Sequence, residues 1–294
     1  MTENRPFKIA IASGKGGTGK TLISTNLFFS LLQQNHKVTL VDCDAEEPNT
    51  MVFLKGNLGY FHDVTQKVPV IDESKCSYCA KCHDYCSYNA IFIIPPAKII
   101  KVMDELCHGC GACLVACEQN AISEKEVPLG TITHYSATTK SSIIEARMKV
   151  GVYSPVAVIK EAIKEATNAD IIILDSPPGT SCPFIQTVIS ADFVILVTEP
   201  TPFGLSDLKQ SVETLKTMNK QYGVIVNRAG LGNNAVYEYM DKENIPLLME
   251  IPFDIAIAEH YSNAQLVAQH RPEWEAQLIA MYDSISKKYG NCNN

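Results

Sequence analysis

Ser13 to Thr21 reads SGKGGTGKT, four glycines and two lysines set between an apolar run, FKIAIA (Phe7 to Ala12), and a helical pattern, LISTNLFFSLLQQ (Leu22 to Gln34). A glycine-rich turn between a strand and a helix can aim its backbone N–H groups at one point, and the helix adds the positive end of its dipole there. Gly14 to Thr21 fits G-x4-G-K-[ST]. That spacing puts Lys20 in reach of the outer phosphates of a nucleotide and Thr21 in reach of Mg2+. One lysine serves such a loop, so Lys15 needs a reason of its own.

Working outward, the chain from Phe7 to Asp44 reads strand, loop, helix, strand, with KVTLVD as the second strand. A helix is expected from Ser154, with Pro155 in its first turn, through VAVIKEAIKEATNA. The strands DIIILD, FVILVT, YGVIVN and LLMEI follow, alternating with helical patterns such as GLSDLKQSVETLKTMNK. Short apolar strands alternating with helices imply an α/β fold, a mostly parallel sheet covered on both faces. Between about Val64 and Tyr135 this alternation gives way to short cysteine-rich turns. The expected layout is an α/β domain of residues 1–63 and 136–294, with residues 64–135 as a small insert.

Length, at 294 residues with 46% apolar content, suits about two domains. A formal charge of −7 gives no basic field for nucleic acid or an anionic membrane surface. No apolar run approaches the ~18 residues of a membrane span, and MTENRPFKIAIAS lacks the features of a signal peptide. A cytoplasmic location is the expectation.

Several motifs in order carry a family resemblance. KGGTGKT resembles the deviant Walker motif of the MinD, ParA and Mrp group of P-loop ATPases, which includes the nitrogenase iron protein. DCDAEEPN (Asp42 to Asn49) looks like switch I, and ILDSPPGT like the Walker B strand running into switch II. The resemblance implies ATP as the nucleotide, held by Gly14, Lys15, Gly16, Gly17, Thr18, Gly19, Lys20 and Thr21. It gives Thr21, Asp44 and Asp175 to the Mg2+ site, with Asp44 also orienting the attacking water. Asn227, Arg228, Pro252, Phe253 and Asp254 would frame the adenine. Lys15 would cross a dimer interface to the partner's ATP, so that ATP drives dimerisation of two copies or of paralogues. Physics agrees with such a division: phosphoryl transfer asks for donors placed around developing charge, and a lysine from a second subunit makes that placement conditional on assembly.

Eight of the eleven cysteines fall in two runs, CSYCAKCHDYC (Cys76, Cys79, Cys82, Cys86) and CHGCGACLVAC (Cys107, Cys110, Cys113, Cys117). Each run is C-x2-C-x2-C-x3-C, and each leads to NAI, at Asn89 to Ile91 and Asn120 to Ile122. Zinc sites usually pair two cysteines and then leave a long gap, and disulfides belong to oxidising compartments; both fit this repeat poorly. The pattern is that of a bacterial-type ferredoxin with two [4Fe-4S] clusters, in which the fourth cysteine of a run ligates the other cluster. Crossing assigns Cys76, Cys79, Cys82 and Cys117 to one cluster and Cys107, Cys110, Cys113 and Cys86 to the second. Such runs normally end C-P, whereas Ser87 and Glu118 stand here. Each restores an N–H that proline lacks, a donor for a cluster sulfur.

Cys43 reads as a small buried residue, and Cys292 falls in a polar tail expected to be disordered. Cys182, seven residues after Asp175, occupies the spacing of the cluster-bridging cysteine in the nitrogenase iron protein. No second cysteine for such a bridge is identifiable, so a packed or redox-sensitive thiol is the simpler reading. The seven histidines form no ligand pattern. The expectation is an ATPase whose nucleotide-gated dimer controls electron transfer through the clusters to or from a redox partner protein. Two alternatives stand beside it: an iron–sulfur cluster carrier, although carriers of the Mrp type typically use a C-terminal C-x2-C, and a positioning switch on membrane or DNA. For the latter a basic amphipathic tail is wanted, yet PEWEAQLIAMYDSISKKY carries Glu273, Glu275 and Asp283 against Lys287 and Lys288 and is expected to dock on its own domain.

Overall fold

The computed structural model describes residues 5–290, so Cys292 lies outside the described residues. The chain divides into two compact units. One comprises residues 1–62, 132–147 and 156–294; the other comprises 63–131 and 148–155.

The first unit opens with β1 (Phe7–Ala12), α1 (Lys20–Gln33), β2 (Val38–Asp42) and the short α2 (Thr50–Phe53). β3 (Asn57–Ile71) then carries the chain into the second unit, which holds α3 (Lys81–Asp84), β4 (Ile91–Ile94), β5 (Ile99–Val102) and α4 (Ala112–Ala116). β6 (Ile122–Ser136) leads back to β7 (Ser142–Met148), α5 (Val156–Glu165) and β8 (Ile171–Asp175). The remainder is α6 (Cys182–Ile189), β9 (Phe193–Thr198), α7 (Pro202–Thr217), β10 (Gln221–Ala229), α8 (Ala235–Lys242) and β11 (Leu247–Pro252), then α9 (Ile255–Ser262), α10 (Val267–His270) and α11 (Pro272–Tyr289).

Among the described residues nine strands form one sheet, in the order β11-β10-β9-β1-β8-β2-β7-β6-β3. The β1/β8, β1/β9, β2/β8, β2/β7, β9/β10 and β10/β11 pairs are all parallel. The order reverses at β1, and right-handed crossovers on either side of such a point place helices on opposite faces. α1 packs with α11, whereas α5 packs with α6 and α7 with α8. Burial explains the apolar strands: Ile9, Ile11, Leu40, Ile173 and Ile195 are fully enclosed, with Leu27, Phe28 and Leu31 of α1 over them. α11 adds Trp274, Leu278, Met281 and Ile285 to the same core. Each such side chain contributes about 1.5–3 kcal/mol, which secures the C-terminal helix to its own unit.

Local details depart from the sequence expectations. α5 begins at Val156 rather than Ser154, with Pro155 just before it, and ends at Glu165. α7 begins at Pro202, two residues ahead of the expected pattern, because the Thr201 hydroxyl accepts the Gly204 N–H at 3.0 Å and caps it. The stretch read as cysteine-rich turns contains most of two strands of 15 residues each, β3 and β6. Asp63–Thr131, Thr65–Glu126 and Lys67–Glu124 pair across them, in opposite chain directions as antiparallel neighbours do.

Candidate functional sites

The carboxyl ends of β1, β2, β8 and β10 surround the glycine loop, the place where open α/β sheets bind ligands. A cleft of about 400 Å³ opens there. Of the residues singled out in the sequence, Gly16, Gly17, Gly19, Lys20, Thr21, Asp44, Asn227, Arg228, Pro252, Phe253 and Asp254 line it. Gly14, Lys15, Thr18 and Asp175 do not. Gly14 has a packing reason instead, since a Cβ there would stand 2.6 Å from the Asp207 carbonyl oxygen. Gly19 has φ of 104°, and a Cβ on it would meet Asn227 Nδ2 at 2.6 Å. That amide donates to the Thr18 carbonyl at 2.7 Å, so Asn227 fixes the loop it faces.

Lys20 is buried, and its Nζ donates to the Lys15 carbonyl at 3.5 Å. Burial lowers its pKa, opposed by the Asp175 and Asp44 charges. Burial likewise raises Asp44, against the pull of Lys20. Asp42 and Asp175 stand opposite each other in register on β2 and β8, both fully enclosed. Burial raises both carboxyls, and each is pushed further by a neighbouring aspartate, Asp42 by Asp175 and Asp175 by Asp44; Lys20 is the main opposing charge at Asp175. Asp42 accepts the N–H groups of Asp44, Asn49 and Thr50 at 3.1, 2.9 and 2.9 Å, so it shapes the loop after β2. Asp175 differs: both its oxygens are buried with no hydrogen bond of good geometry, although the Thr21 and Ser24 hydroxyls stand near enough to lower its pKa. An orphaned buried carboxylate beside Thr21 fits a divalent cation.

The eight motif cysteines lie around two cavities in the second unit. Cys76, Cys79, Cys82 and Cys117 line one, with Ile93, Ile100 and Ile122. Cys107, Cys110, Cys113 and Cys86 line the other, with Tyr88 and His108. Three thiols of each cavity come from one run and the fourth from the other run. Backbone N–H groups reach the sulfurs, among them Tyr78 to Cys76 and Gly109 to Cys107, both 3.4 Å, and Ala90 to Cys86 and Ala121 to Cys117 at 3.3 and 3.4 Å. Ser87 and Glu118, expected as the donors in place of proline, are not among these. The NAI turns do this work: Asn89 and Asn120 take left-handed φ of 53° and 51° and turn the next N–H back onto the last cysteine. Burial raises Cys107 and Cys113 and pushes Cys82 up to about 11, while the Lys81 N–H lowers Cys79.

Among the described residues no three His, Cys, Asp or Glu side chains converge as ligands of a single metal ion. The four thiols of each set instead surround a cavity. Four thiols around a space, with N–H groups on their sulfurs, fit a cluster whose cysteines attach to different irons.

Sequence reasoning did not single out Glu47, Asn49, Pro178, Ile257, Ala258 and Tyr261, all of which line the cleft. Glu47 and Asn49 sit inside the quoted switch I motif, and Asn49 Oδ1 is buried without a partner. The α9 residues carry no motif, and only the fold brings them there. Cys43 is buried and its thiol is pushed well up by burial, as for a packed residue, whereas Cys182 is exposed at the start of α6. His62 and His134 both contact Glu165, at 2.9 and 2.6 Å, a structural pairing. Among the described residues no helix is long and apolar enough to cross a membrane.

Comparison with known proteins agrees with the cleft. The model of the CobQ/CobB/MinD/ParA nucleotide-binding domain matches residues 9–267. A relative from Methanocaldococcus jannaschii, itself uncharacterised, is 32% identical and the alignment covers 87% of this chain and 90% of that one. An iron–sulfur cluster carrier protein of Aquifex aeolicus is 24% identical over 95% of this chain and 66% of its own. Among solved structures, the septum site-determining protein MinD of Pyrococcus horikoshii with Mg-ADP has a TM-score of 0.59 at 22% identity, covering 97% of this chain and 98% of that one. The chain belongs to the CobQ/CobB/MinD/ParA nucleotide-binding family and has the α/β P-loop fold of MinD.

Proposed function

We propose that this chain is an ATP-hydrolysing iron–sulfur protein, with ATP and Mg2+ bound in the cleft and two [4Fe-4S] clusters held by an inserted ferredoxin-type unit. The observation that carries the proposal is the division of eight cysteines, three and one, between two cavities. Lys20 and the loop N–H groups take the phosphates, Thr21 and Asp175 hold the cation, and Asp44 orients the water. The Pro252–Asp254 segment with Asn227 and Arg228 bounds the base. Lys15 acts across an interface between two copies or paralogues, which makes hydrolysis depend on association. The clusters, when bound, supply one-electron chemistry or are themselves the cargo.

Those last two roles divide the reading. The comparisons favour the carrier, because several relatives bear the name iron–sulfur cluster carrier protein, at 23–24% identity to this chain. In the carrier reading a cluster is substrate, and hydrolysis times its release. Gated electron transfer, the first expectation from the sequence, is supported by the completeness of both four-thiol sets, which suits clusters that stay. Of the two, the carrier has the wider support.

The test uses protein reconstituted anaerobically with labelled iron and sulfide. About eight irons per chain are expected, as two cubanes require. Mixing with an apo iron–sulfur acceptor and ATP should move iron and sulfide together into the acceptor under the carrier reading. With the protein first reduced by dithionite and freed of excess reductant, reduction of an added one-electron acceptor with iron retained supports electron transfer instead. A chain that takes up no cluster, or hydrolyses no ATP, removes the proposal in both forms.

A further inference from the structure

Glu199 follows β9 and is buried, with its side chain 8% exposed, and it does not line the cleft. Its two oxygens serve two cations. Oε1 takes the Arg228 guanidinium at 2.8 Å, and Oε2 takes the Lys15 ammonium at 3.5 Å. Arg228 lines the cleft beside Pro252 and Phe253, whereas Lys15 belongs to the phosphate loop. One carboxylate therefore joins the base end of the site to the loop at its phosphate end.

The backbone is shaped for this bridge. Arg228 has a left-handed φ of 55°, and the register of β10 on β11 shifts between Asn227 and Ala229. Such a bulge turns a side chain out of the ladder. A non-glycine residue in that conformation costs about 1–2 kcal/mol and persists where its surroundings hold it. The Asn227 side chain does so, accepting the Arg228 N–H at 2.9 Å while its amide holds Thr18.

We infer that Glu199 is a positioning residue that couples Arg228 to Lys15, holding Lys15 on its own subunit and holding it harder whenever Arg228 is absent from the shared carboxylate. The cause is competition. Two cations share one buried negative charge and repel each other, so removal of either strengthens the hold on the other. A buried carboxylate left with neither partner is strongly unfavourable, so the two cations do not leave together. The coupling is reciprocal: release of Lys15 fastens Arg228 by the same factor. The inference goes beyond the proposed function and rests only on the cleft being the nucleotide site.

Lys15 reactivity toward an amine-reactive ester tests this in nucleotide-free protein, read by peptide mass spectrometry with exposed Lys149 as internal standard. Glu199→Gln should raise Lys15 labelling severalfold. Arg228→Ala should lower it severalfold, the opposite sign from a general loosening of the fold. The double variant should match Glu199→Gln alone, because without the carboxylate the arginine has nothing to compete for. Unchanged or faster labelling in Arg228→Ala, or additive effects in the double variant, overturns the coupling. Should Glu199→Gln fail to fold, the sign in Arg228→Ala still decides. Calorimetry of ADP on the unaltered protein separates the two readings: no binding sinks the cleft assignment, whereas the labelling results judge Glu199 independently.

Discussion

At the scale of single residues, the cleft is governed by charges that the fold has removed from water. Asp42 and Asp175 are cross-strand neighbours, and burial raises both pKa values above the ordinary carboxylate range, so the pair titrates as a unit. A carboxyl whose folded pKa lies above its unfolded value makes the folded state the better proton binder. Its contribution to stability is full below the unfolded pKa and is lost as pH rises through the raised folded values. Magnesium-free protein should therefore lose stability as pH climbs above the usual carboxylate range, a trend measured by thermal melts in chelator. Cation binding to the orphaned Asp175 reverses the preference by stabilising the ionised pair. Binding of Mg-ADP should thus release protons near neutral pH, seen as a heat that varies with the ionisation enthalpy of the buffer. Equal heats in all buffers would mean the pair is already ionised in the free protein.

At the scale of elements, the two cysteine runs behave as copies of one turn design. Tyr78 and Gly109, Ala80 and Gly111, and Asn89 and Asn120 take positive φ at matching positions in the two runs. The second run has glycine at two of these where the first has Tyr78 and Ala80, side chains that such a conformation strains by about 1–2 kcal/mol each. Pairing across the runs then closes each set of four thiols. Cys117→Ser should accordingly damage the cluster bound by Cys76, Cys79 and Cys82, although Cys117 is nearer in sequence to the other group. Site-resolved spectra of the reconstituted variant check this, and loss confined to the Cys107, Cys110 and Cys113 cluster would defeat the crossed assignment. Much of this scale was legible in the chain. The phosphate loop and the apolar strands announce themselves because backbone geometry and burial demand particular residues at particular spacings. β3 and β6 did not, because much of their length is exposed and carries Asp63, Gln66, Lys67, Glu124 and Glu126 rather than an apolar pattern. Tyr261 and Ile257 reach the cleft only through the placement of α9, and Glu199 gains its two cations only when the strand ends are brought side by side. Contacts of that kind leave no local signature in sequence.

At the scale of the whole molecule, the connectivity places the cysteine unit between the two segments that a nucleotide would most directly reorganise. The chain leaves the first unit after residue 62, beyond the Asp42 to Asn49 loop, and its last excursion ends at residue 155, ahead of α5 and the β8 strand that ends in Asp175. Loops ordered by an outer phosphate are a recurrent way of passing nucleotide state to a distant element. The expectation is that nucleotide state and cluster state are coupled, and binding linkage makes that coupling symmetric: if ATP favours one redox state, that state favours ATP by the same factor. A tenfold effect corresponds to about 1.4 kcal/mol, or about 59 mV for one electron. Asp44→Ala is the variant to use, since loss of the carboxylate proposed to orient the water should leave ATP bound and unhydrolysed. Its clusters should be titrated anaerobically without nucleotide, with ADP and with ATP, and their iron extracted by a chelator under the same three conditions. A shift in potential with unchanged extraction supports gated electron transfer. Faster extraction in one nucleotide state with unchanged potential supports the carrier, because a cluster to be handed on must first be loosened. If potentials and extraction rates coincide in all three conditions, the cysteine unit does not respond to the cleft, and the coupling that unites the two units is refuted.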